Sequence, residues 1–382
     1  AIRQVKKAVG RNDCLYIHVT LVPFVTGAGE LKTKPAQHSV KELRSLGIQP
    51  DILICRSSKP IPQDMCEKMA MFCDVDADAV FQNLTARSIY EVPVLLEKQG
   101  LDEVVLRKLD VDATNHPLDM AEWHDMVERM LKDYDRKVTL GVVGKYVELQ
   151  DSYISLTEAL RHAAMANEAN LDIKWINAEL VEEGEIDLEA ELKDVDCILV
   201  PGGFGSKGLE GKISAIKYAR ENKVPFFGIC LGMQCAVVEY ARHIGMTGAN
   251  TTEANAETAY PVIDILPDQQ DVEEKGAMRL GLYPCKVAAG SLTEKAYGEA
   301  LIYERHRNRY EVNNAFREEL EKNGLVIAGA LPNGRLVEIV ELPTDVHPWF
   351  MGVQFHPELK SRPTNPHPLF RDFIAAALKE QK

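Results

Sequence analysis

The sequence has 382 residues, of which 46% are hydrophobic and 27% are charged. At roughly 100–200 residues per domain, this length predicts two or three globular domains, and the composition excludes both a disordered chain and a small disulfide-stapled fold. Lys and Arg number 44 against 58 Asp and Glu, a net charge of −14, which argues against nucleic acid as a partner. Local basic clusters at Lys32 and Lys34 and at 305–309 can still bind a small phosphate or carboxylate.

Eight cysteines are spread along the chain without the spacing of a disulfide framework, so we expect reduced thiols and a cytoplasmic protein. No apolar segment approaches the roughly 18 residues of a membrane helix, and no signal peptide opens the chain, so we expect no membrane partner. The sequence starts at Ala1 inside a helix-like segment, without an initiator methionine. We therefore expect further residues upstream.

The first third of the chain alternates strand and helix patterns. Hydrophobic periodicity and turn residues predict strands at 15–22, 51–55 and 79–81, and helices ending near 47, at 62–72 and around 93–98. Such alternation is typical of a parallel α/β sheet. A polar, acidic helix follows His116-Pro117, and the strand pattern restarts at Val138. We place a first domain at 1–117, a linker at 118–136 and a second domain at 137–382.

The second domain repeats the alternation. We predict strands at 138–143, 173–177, 197–200 and 224–229, and helices at 152–167, 212–221 and 231–243. The segment from Gly248 to about Gly290 is polar and rich in turns, and strands at 325–330 and 336–341 form a hairpin. The predicted fold class is therefore α/β, with two three-layer domains and mostly parallel sheets.

The segment from Gly203 to Gly208 matches the G-x-G-x-x-G pattern of dinucleotide sites. We interpret the match as coincidental, because it lies deep within its domain and no acidic residue ends the next strand. No G-x-x-x-x-G-K-[ST] phosphate loop occurs in the sequence either.

Cys230 is the strongest catalytic candidate. It lies between a buried strand and a helix, within Gly228-Ile229-Cys230-Leu231-Gly232, so we expect it on a tight turn where the glycines relieve steric clash. The N-terminus of the helix stabilises a thiolate there, and the N–H of Leu231 faces the same point. A buried structural cysteine is the alternative, and we favour that alternative for the other seven.

A nucleophilic thiol needs a base and a group that orients the base. The apolar residues 351–355 predict a strand, and His356 and Glu358 then project on one face, because side chains along a strand alternate with a period of two. On its own, His-Pro-Glu at a strand end is more often a surface turn, but together with the cysteine turn it favours a catalytic pair. No His and Cys cluster has metal-ligand spacing, so we predict no metal site.

These segments and Pro201-Gly202-Gly203-Phe204-Gly205 upstream closely resemble class I glutamine amidotransferase domains. The resemblance implies that Cys230 attacks the carboxamide of glutamine, that His356 transfers protons and that Glu358 holds His356. Ammonia then leaves, and water cleaves a γ-glutamyl thioester.

Further segments resemble CTP synthases along the whole chain: 32–37, 49–51 with Arg56, 304–314 and 347–350. By this resemblance, glutamine is bound by Gly203, Leu231, Gly232, Met233, Gln234, Glu253 and Arg309. The N–H groups of Gly203 and Leu231 would form the oxyanion hole, and Arg309 suits a carboxylate because its guanidinium is a planar fork. A solvated helix face is the alternative for the arginine cluster.

In the first domain, the resemblance assigns the substrate UTP and the inhibitor CTP to Lys32, Thr33, Lys34, Pro35, Ala36, Gln37 and Lys68. Lysines just before a proline-initiated helix suit a phosphate, because the helix N-terminus also attracts anions. An ordinary solvated loop is the alternative. CTP synthases usually have Thr at the position of Ala36, so a hydroxyl contact differs here.

The resemblance covers part of a P-loop-like synthetase domain and a complete glutaminase domain, and we expect the family's nucleotide-binding segment, with its P-loop and magnesium carboxylates, upstream. The implied reaction is the amination of UTP to CTP, the last step of de novo CTP synthesis, with ATP and Mg²⁺ and with GTP as allosteric activator. A homotetramer or a filament is the implied assembly. The alternatives are a glutaminase that serves another acceptor and a non-catalytic assembly or regulatory protein.

Overall fold

The computed structural model describes residues 1–10, 12–112, 114, 118–145, 147–265 and 278–381. The chain forms two compact units, Ala1–Leu131 and Lys132–Lys382. The predicted domain boundary at 117 lies outside the described residues. Among those that are described, none of the helices combines the length and the apolar character needed to cross a membrane.

The first unit contains helices α1 Ile2–Val9, α2 Lys34–Ser45, α3 Gln63–Cys73, α4 Glu91–Glu97, α5 Leu101–Lys108 and α6 Ala121–Leu131, and strands β1 Ile17–Leu21, β2 Phe24–Val25, β3 Glu30–Leu31, β4 Ile52–Ser57 and β5 Val80–Leu84. Strands β1, β4 and β5 form a parallel sheet. One apolar cluster packs helices α2 and α3 on this sheet and another packs α5. Pro35 fixes the first turn of α2, as predicted.

The second unit contains helices α7 Ile154–Ala166, α8 Ala178–Glu182, α9 Leu188–Leu192, α10 Leu209–Asn222, α11 Leu231–His243, α12 Leu292–Tyr297, α13 Asn314–Lys322 and α14 Pro368–Glu380. Its strands are β6 Arg136–Gly144, β7 Ala169–Asn177, β8 Cys197–Val200, β9 Phe226–Ile229, β10 Asn250–Thr251, β11 Pro261–Asp264, β12 Arg279–Val287, β13 Leu301–Asn308, β14 Glu311–Val312, β15 Val326–Ala330, β16 Val337–Glu341 and β17 Phe350–Val353.

A nine-stranded sheet organises this unit, in the order β13-β12-β15-β16-β17-β9-β8-β6-β7. Neighbours from β17 to β7 are parallel, and those from β13 to β17 are antiparallel. One apolar cluster holds α10 and α11 against the sheet, and a second holds α7 and α14. The α/β class with three layers and parallel central strands is therefore confirmed, as is the hairpin of β15 and β16.

One expectation for this unit was wrong, and one alternative does not hold. The segment predicted to be polar and turn-rich, from Gly248 to about Gly290, contains the whole of a nine-residue strand, β12. Arg305 and Arg307 lie at exposed positions of strand β13, whose residues alternate between exposed and buried, and not on a helix face. Both strands escaped prediction because their buried positions include Arg279, Glu304 and His306 rather than apolar side chains alone.

Candidate active site

Cys230 lies at the junction between strand β9 and helix α11, as the sequence predicts. It follows Ile229, the last residue of the strand, and it precedes Leu231, the first residue of the helix. Its backbone has φ 53° and ψ −104°, a conformation that non-glycine residues rarely adopt. The N–H of Cys230 donates to the carbonyl of Val353 at 2.7 Å, which ties the turn to strand β17.

Two glycines make this turn possible. A Cβ atom on Gly228 would lie 2.7 Å from the carbonyl oxygen of Gly232. A Cβ atom on Gly232 would lie 2.1 Å from the carbonyl oxygen of Val200, at the end of strand β8. Since neither distance is compatible with a side chain, the start of α11 packs directly on the sheet backbone.

His356 and Glu358 contact one another just beyond strand β17. Nδ1 of His356 lies 2.7 Å from Oε1 of Glu358, and the N–H of His356 donates to the carbonyl of Arg305 at 2.8 Å. The period-two argument for this pair was wrong, however, because the strand ends at Val353 and residues Pro357–Leu359 form a 3-10 turn. The turn, not a shared strand face, brings the carboxylate to the ring.

The thiol and the imidazole approach the same backbone position. A Cβ atom on Gly202 would lie 2.9 Å from Cε1 of His356 and 3.4 Å from Cβ of Cys230. The Sγ atom of Cys230 also lies 3.7 Å from Nε2 of Gln354 and 3.8 Å from the carbonyl oxygen of Arg307. The absence of a side chain at Gly202 therefore keeps the space beside the pair open.

The surroundings of His356 favour its protonated form. Burial lowers the pKa of His356, but the neighbouring Cys230 thiol and Glu358 carboxylate outweigh burial and raise that pKa to about 11. A protonated imidazole beside a thiolate is the charge state that cysteine nucleophiles use.

A cavity of about 530 Å³ opens above these residues, within the range of small-molecule sites. It is lined by Ser152, Tyr153, Ser155, Leu156, Pro201, Gly202, Gly203, Phe204, Ile229, Cys230, Arg307, His356, Glu358 and Leu359. The guanidinium of Arg307 lies over the ring of Phe204, 5.4 Å from its centroid. The predicted catalytic residues thus share one cavity with the glycine-rich loop at 201–205.

The two predicted oxyanion donors are neighbours. A Cβ atom on Gly203 would lie 3.5 Å from Cδ2 of Leu231. Leu231 begins α11, where N–H groups lack partners within the helix. Gly232 and Met233 follow in the same buried turn.

The other predicted glutamine ligands, Gln234, Glu253 and Arg309, lie near Tyr310 but are not among the residues that line the cavity. Nε2 of Gln234 donates to the carbonyl of Tyr310 at 2.9 Å and to Oε1 of Gln354 at 3.1 Å. Glu253 and Arg309 lie close enough to the Tyr310 ring to influence its pKa, which burial and Glu253 raise and Arg309 lowers. Glu253 also accepts the N–H of Gly205 at 3.0 Å, which connects it to the loop that lines the cavity.

The predicted nucleotide ligands lie at the start of helix α2 in the first unit. Lys34 is exposed, Ala36 is fully buried, and Nε2 of Gln37 donates to Oγ1 of Thr33 at 3.2 Å. Lys32 forms an ion pair with Glu30. Lys68 is exposed on α3, the helix that packs beside α2. Within the described residues, no group of three or more His, Cys, Asp or Glu side chains is arranged to hold a metal ion.

Sequence reasoning missed Gln354. This residue is fully buried, and its side chain links Cys230 to Gln234. A polar residue at the end of an apolar strand, two positions before His356, is the signal that was available. The buried residues Glu304 and His306 of strand β13 gave no comparable signal, because their partners are distant in the sequence.

Two family descriptions match the chain. Residues 148–376 match the class-I glutamine amidotransferase family, and residues 1–111 match the CTP synthase N-terminus. The first match covers the cavity residues of the second unit, and the second covers most of the first unit.

The similarity to known proteins extends over the whole chain. A CTP synthase of Clostridium kluyveri is 56% identical over 383 residues, which is 100% of this chain and 70% of that protein. A CTP synthase of Pelotomaculum thermopropionicum is 57% identical over 381 residues, which is 99% of this chain and 70% of that protein. The solved glutaminase domain of Trypanosoma brucei CTP synthase, with bound acivicin, is 37% identical with a TM-score of 0.59, and the match covers 64% of this chain and 95% of that one. The chain therefore belongs to the CTP synthase family.

Proposed function

We propose that this chain, as a CTP synthase, hydrolyses glutamine with Cys230, His356 and Glu358 and uses the ammonia to aminate UTP. The observation that carries the proposal is the 2.7 Å contact between His356 Nδ1 and Glu358 Oε1, in one cavity with a cysteine at a helix N-terminus. This is the combination of nucleophile, base and orienting group that covalent amide hydrolysis requires.

The reaction proceeds in two halves. The thiolate of Cys230 attacks the carboxamide carbon, a C–S bond forms, and the carbonyl electrons move to oxygen, where the N–H groups of Gly203 and Leu231 stabilise the negative charge. His356 gives its proton to the departing nitrogen, the C–N bond breaks and ammonia leaves. Water then loses a proton to His356 and attacks the thioester, which releases glutamate and restores the thiolate.

We assign the amino and carboxylate groups of glutamine to Gln234, Glu253 and Arg309, and we include Gly232 and Met233, in the first turn of α11, among the glutamine-binding residues. The contact of Gln234 with the Tyr310 carbonyl and that of Glu253 with the N–H of Gly205 support the assignment. A carboxylate of Glu253 suits an ammonium group, and a guanidinium of Arg309 suits a carboxylate.

The amination half belongs to the first unit. Membership in the family implies the use of ATP with Mg²⁺. Among the described residues, no group of three or more His, Cys, Asp or Glu side chains fits that metal ion. We assign UTP, and CTP as feedback inhibitor, to the residues at 32–37 and Lys68. Calorimetric titration with UTP tests this assignment, because Lys34→Ala should weaken binding while a lysine outside the site, Lys379→Ala, should not.

GTP activation, assembly into a homotetramer or filament and a cytoplasmic location complete the proposal. All three rest on the family. Sedimentation with and without nucleotides tests the assembly, and glutamine hydrolysis with and without GTP tests the activation.

The central experiment compares two cysteine variants by release of ammonia and glutamate. We expect Cys230→Ala to lose glutamine hydrolysis while keeping its fold. Cys235→Ala is the matched control: Cys235 lies on the same helix, and burial raises the pKa of its thiol to about 12, so its loss should leave hydrolysis intact. Hydrolysis by the Cys230→Ala variant would overturn the proposal.

A further inference from the structure

Strand β13 contacts both proposed catalytic residues through its backbone. It lies at one end of the described nine-stranded sheet. The carbonyl of Arg305 accepts the N–H of His356 at 2.8 Å, and the carbonyl of Arg307 lies 3.8 Å from Sγ of Cys230. These carbonyls are two residues apart, so the position of this single strand fixes where the imidazole and the thiol lie.

His306 lies between those two residues. Its side chain is buried, whereas the side chains of Arg305 and Arg307 are exposed. Its Nδ1 lies 3.1 Å from the carbonyl oxygen of Glu304, and its Nε2 lies 2.5 Å from Oε2 of Glu338. Because a carbonyl only accepts, Nδ1 must donate, and a proton also lies between Nε2 and the carboxylate. Glu338 belongs to β16, three strands away in the sheet order, so this bond joins distant parts of the sheet.

Glu338 is held in turn by Arg279. Nη2 of Arg279 donates to Oε1 of Glu338 at 2.8 Å, and Nη1 donates to Oε1 of Glu311 at 2.6 Å. Asn308, at the end of β13, donates to the same Glu311 oxygen at 2.7 Å. Both carboxylates are fully buried. Buried charges of this kind seldom add net stability compared with apolar packing. They can instead favour a single arrangement of the strands that carry them.

A second series of contacts connects Glu338 to the Cys230 thiol. The backbone carbonyl of Glu338 accepts the N–H of Gln354 at 2.9 Å. Nε2 of Gln354 lies 3.7 Å from Sγ of Cys230. Neither His306 nor Glu338 lines the cavity, so each reaches the reacting atoms only through other groups.

We propose that His306 and Glu338 are positioning residues for glutamine hydrolysis: their contact beneath β13 holds the Arg305 and Arg307 carbonyls where they fix His356 and Cys230. This inference rests on the proposed function and gives a role to two residues that the sequence analysis assigned to neither catalysis nor glutamine binding.

Two substitutions of His306 separate positioning from simple packing. In His306→Asn, the amide nitrogen replaces Nδ1 and keeps the bond to Glu304, but the contact with Glu338 is lost. In His306→Gln, the longer side chain places its amide nitrogen near Nε2 and keeps the contact with Glu338. We expect kcat for glutamine hydrolysis to fall roughly 10- to 100-fold in the Asn variant, with KM unchanged, and to be largely retained in the Gln variant.

The pH dependence of Cys230 alkylation by iodoacetamide gives a second readout. A displaced imidazole stabilises the thiolate less, so the alkylation midpoint should move to higher pH in His306→Asn and stay near that of the unchanged chain in His306→Gln. This measurement does not need turnover. If the unchanged chain fails to hydrolyse glutamine, the proposed function fails, while the alkylation profiles still decide the positioning role.

Glu338→Gln and Glu341→Gln form a matched pair on strand β16. Glu341 is also a buried carboxylate, but it accepts the N–H groups of Leu292 and Thr293 at the start of α12. We expect Glu338→Gln to lower kcat and to shift the alkylation midpoint, and Glu341→Gln to leave both unchanged. If Glu338→Gln does not fold, the two His306 variants decide. Equal kcat and equal alkylation midpoints in His306→Asn and the unchanged chain would overturn the inference, as would equal losses in folded Glu338→Gln and Glu341→Gln.

Discussion

Cys230 adopts a left-handed φ of 53°, which costs a non-glycine residue of the order of 1–3 kcal/mol. Contacts with the neighbouring strands offset this cost. The carbonyl of Val353, at the end of strand β17, accepts the N–H of Cys230, and the lack of a side chain at Gly232 lets the start of α11 pack closely on Val200 of β8. The conformation keeps a buried thiol at the wall of the cavity instead of within the apolar core.

A methyl group at Gly232 tests this packing. We expect Gly232→Ala to lower the free energy of unfolding by about 1–3 kcal/mol and to abolish glutamine hydrolysis, because the added Cβ would lie 2.1 Å from the Val200 carbonyl oxygen. Urea unfolding measures the change. Gly203→Ala is the control for stability, since its Cβ would meet Leu231 at 3.5 Å, an ordinary contact. Equal destabilisation in both variants would contradict the steric explanation.

Glu358 should affect stability in a pH-dependent manner. Because the pKa of His356 is raised from 6.5 to about 11, partly by Glu358, the stabilisation from its protonated ring is fully present below the unfolded value of 6.5 and is lost as pH rises towards 11. We therefore expect the difference in unfolding free energy between the unchanged chain and Glu358→Gln to be largest near pH 6 and to shrink by pH 10. Urea titrations across this range measure it, and a difference that grows with pH would refute the charge assignment.

At the scale of elements, the sequence predicts best where apolar periodicity and local motifs coincide. Strand β8 and helix α11 have the predicted bounds. The short motifs around Cys230 and His356 could be recognised because the residues that define each motif lie within a few positions of one another. Strands β12 and β13 were missed because Arg279, Glu304 and His306 occupy buried positions. Their partners are supplied by distant segments, so no local pattern distinguishes these buried polar residues from exposed ones.

Helix α10, which follows the loop at 201–205, and helix α11, which follows Cys230, are joined by an ion pair. Nε and Nη2 of Arg220 donate to the Glu239 carboxylate at 2.9 and 2.8 Å, and both side chains are largely buried. The planar guanidinium fits this geometry, whereas an ammonium group does not.

Arg220→Lys should therefore destabilise the second unit. We expect a loss of about 1.5–3 kcal/mol of unfolding free energy, the value of hydrogen bonds to charged groups. Arg317→Lys is the control, since Arg317 forms a more exposed pair with Glu321 four residues along α13, and pairs of this kind contribute about 0.3–0.5 kcal/mol. Thermal and urea unfolding measure both variants, and similar losses would argue against the role of geometry.

At the scale of the whole molecule, each unit has its own core. The apolar clusters of the first unit contain residues between 15 and 105, and those of the second contain residues between 138 and 378. The class-I glutamine amidotransferase match at 148–376 lies entirely in the second unit. Burial of apolar surface is the main driving force for folding, so the second unit contains what it needs to fold.

Residues 132–382 produced alone should unfold in one cooperative transition and should retain the alkylation profile of Cys230. Circular dichroism during heating, together with iodoacetamide labelling, measures both. Residues 193–382 serve as the control, because this segment lacks β6, which borders β8 in the sheet, and β7, which borders β6, and it should not fold. Gradual, non-cooperative melting of residues 132–382 would show that the second unit depends on the first.

The contacts of strand β13 also bear on self-association. A strand at the end of a sheet offers carbonyls to which a strand of another molecule can add, and natural proteins cover or interrupt such edges to avoid aggregation. Here the segment that carries His356 occupies the carbonyl of Arg305, and Cys230 lies against that of Arg307. The proposed catalytic residues therefore also cover an edge strand, and we expect any change that displaces the His356 segment to reduce solubility together with activity.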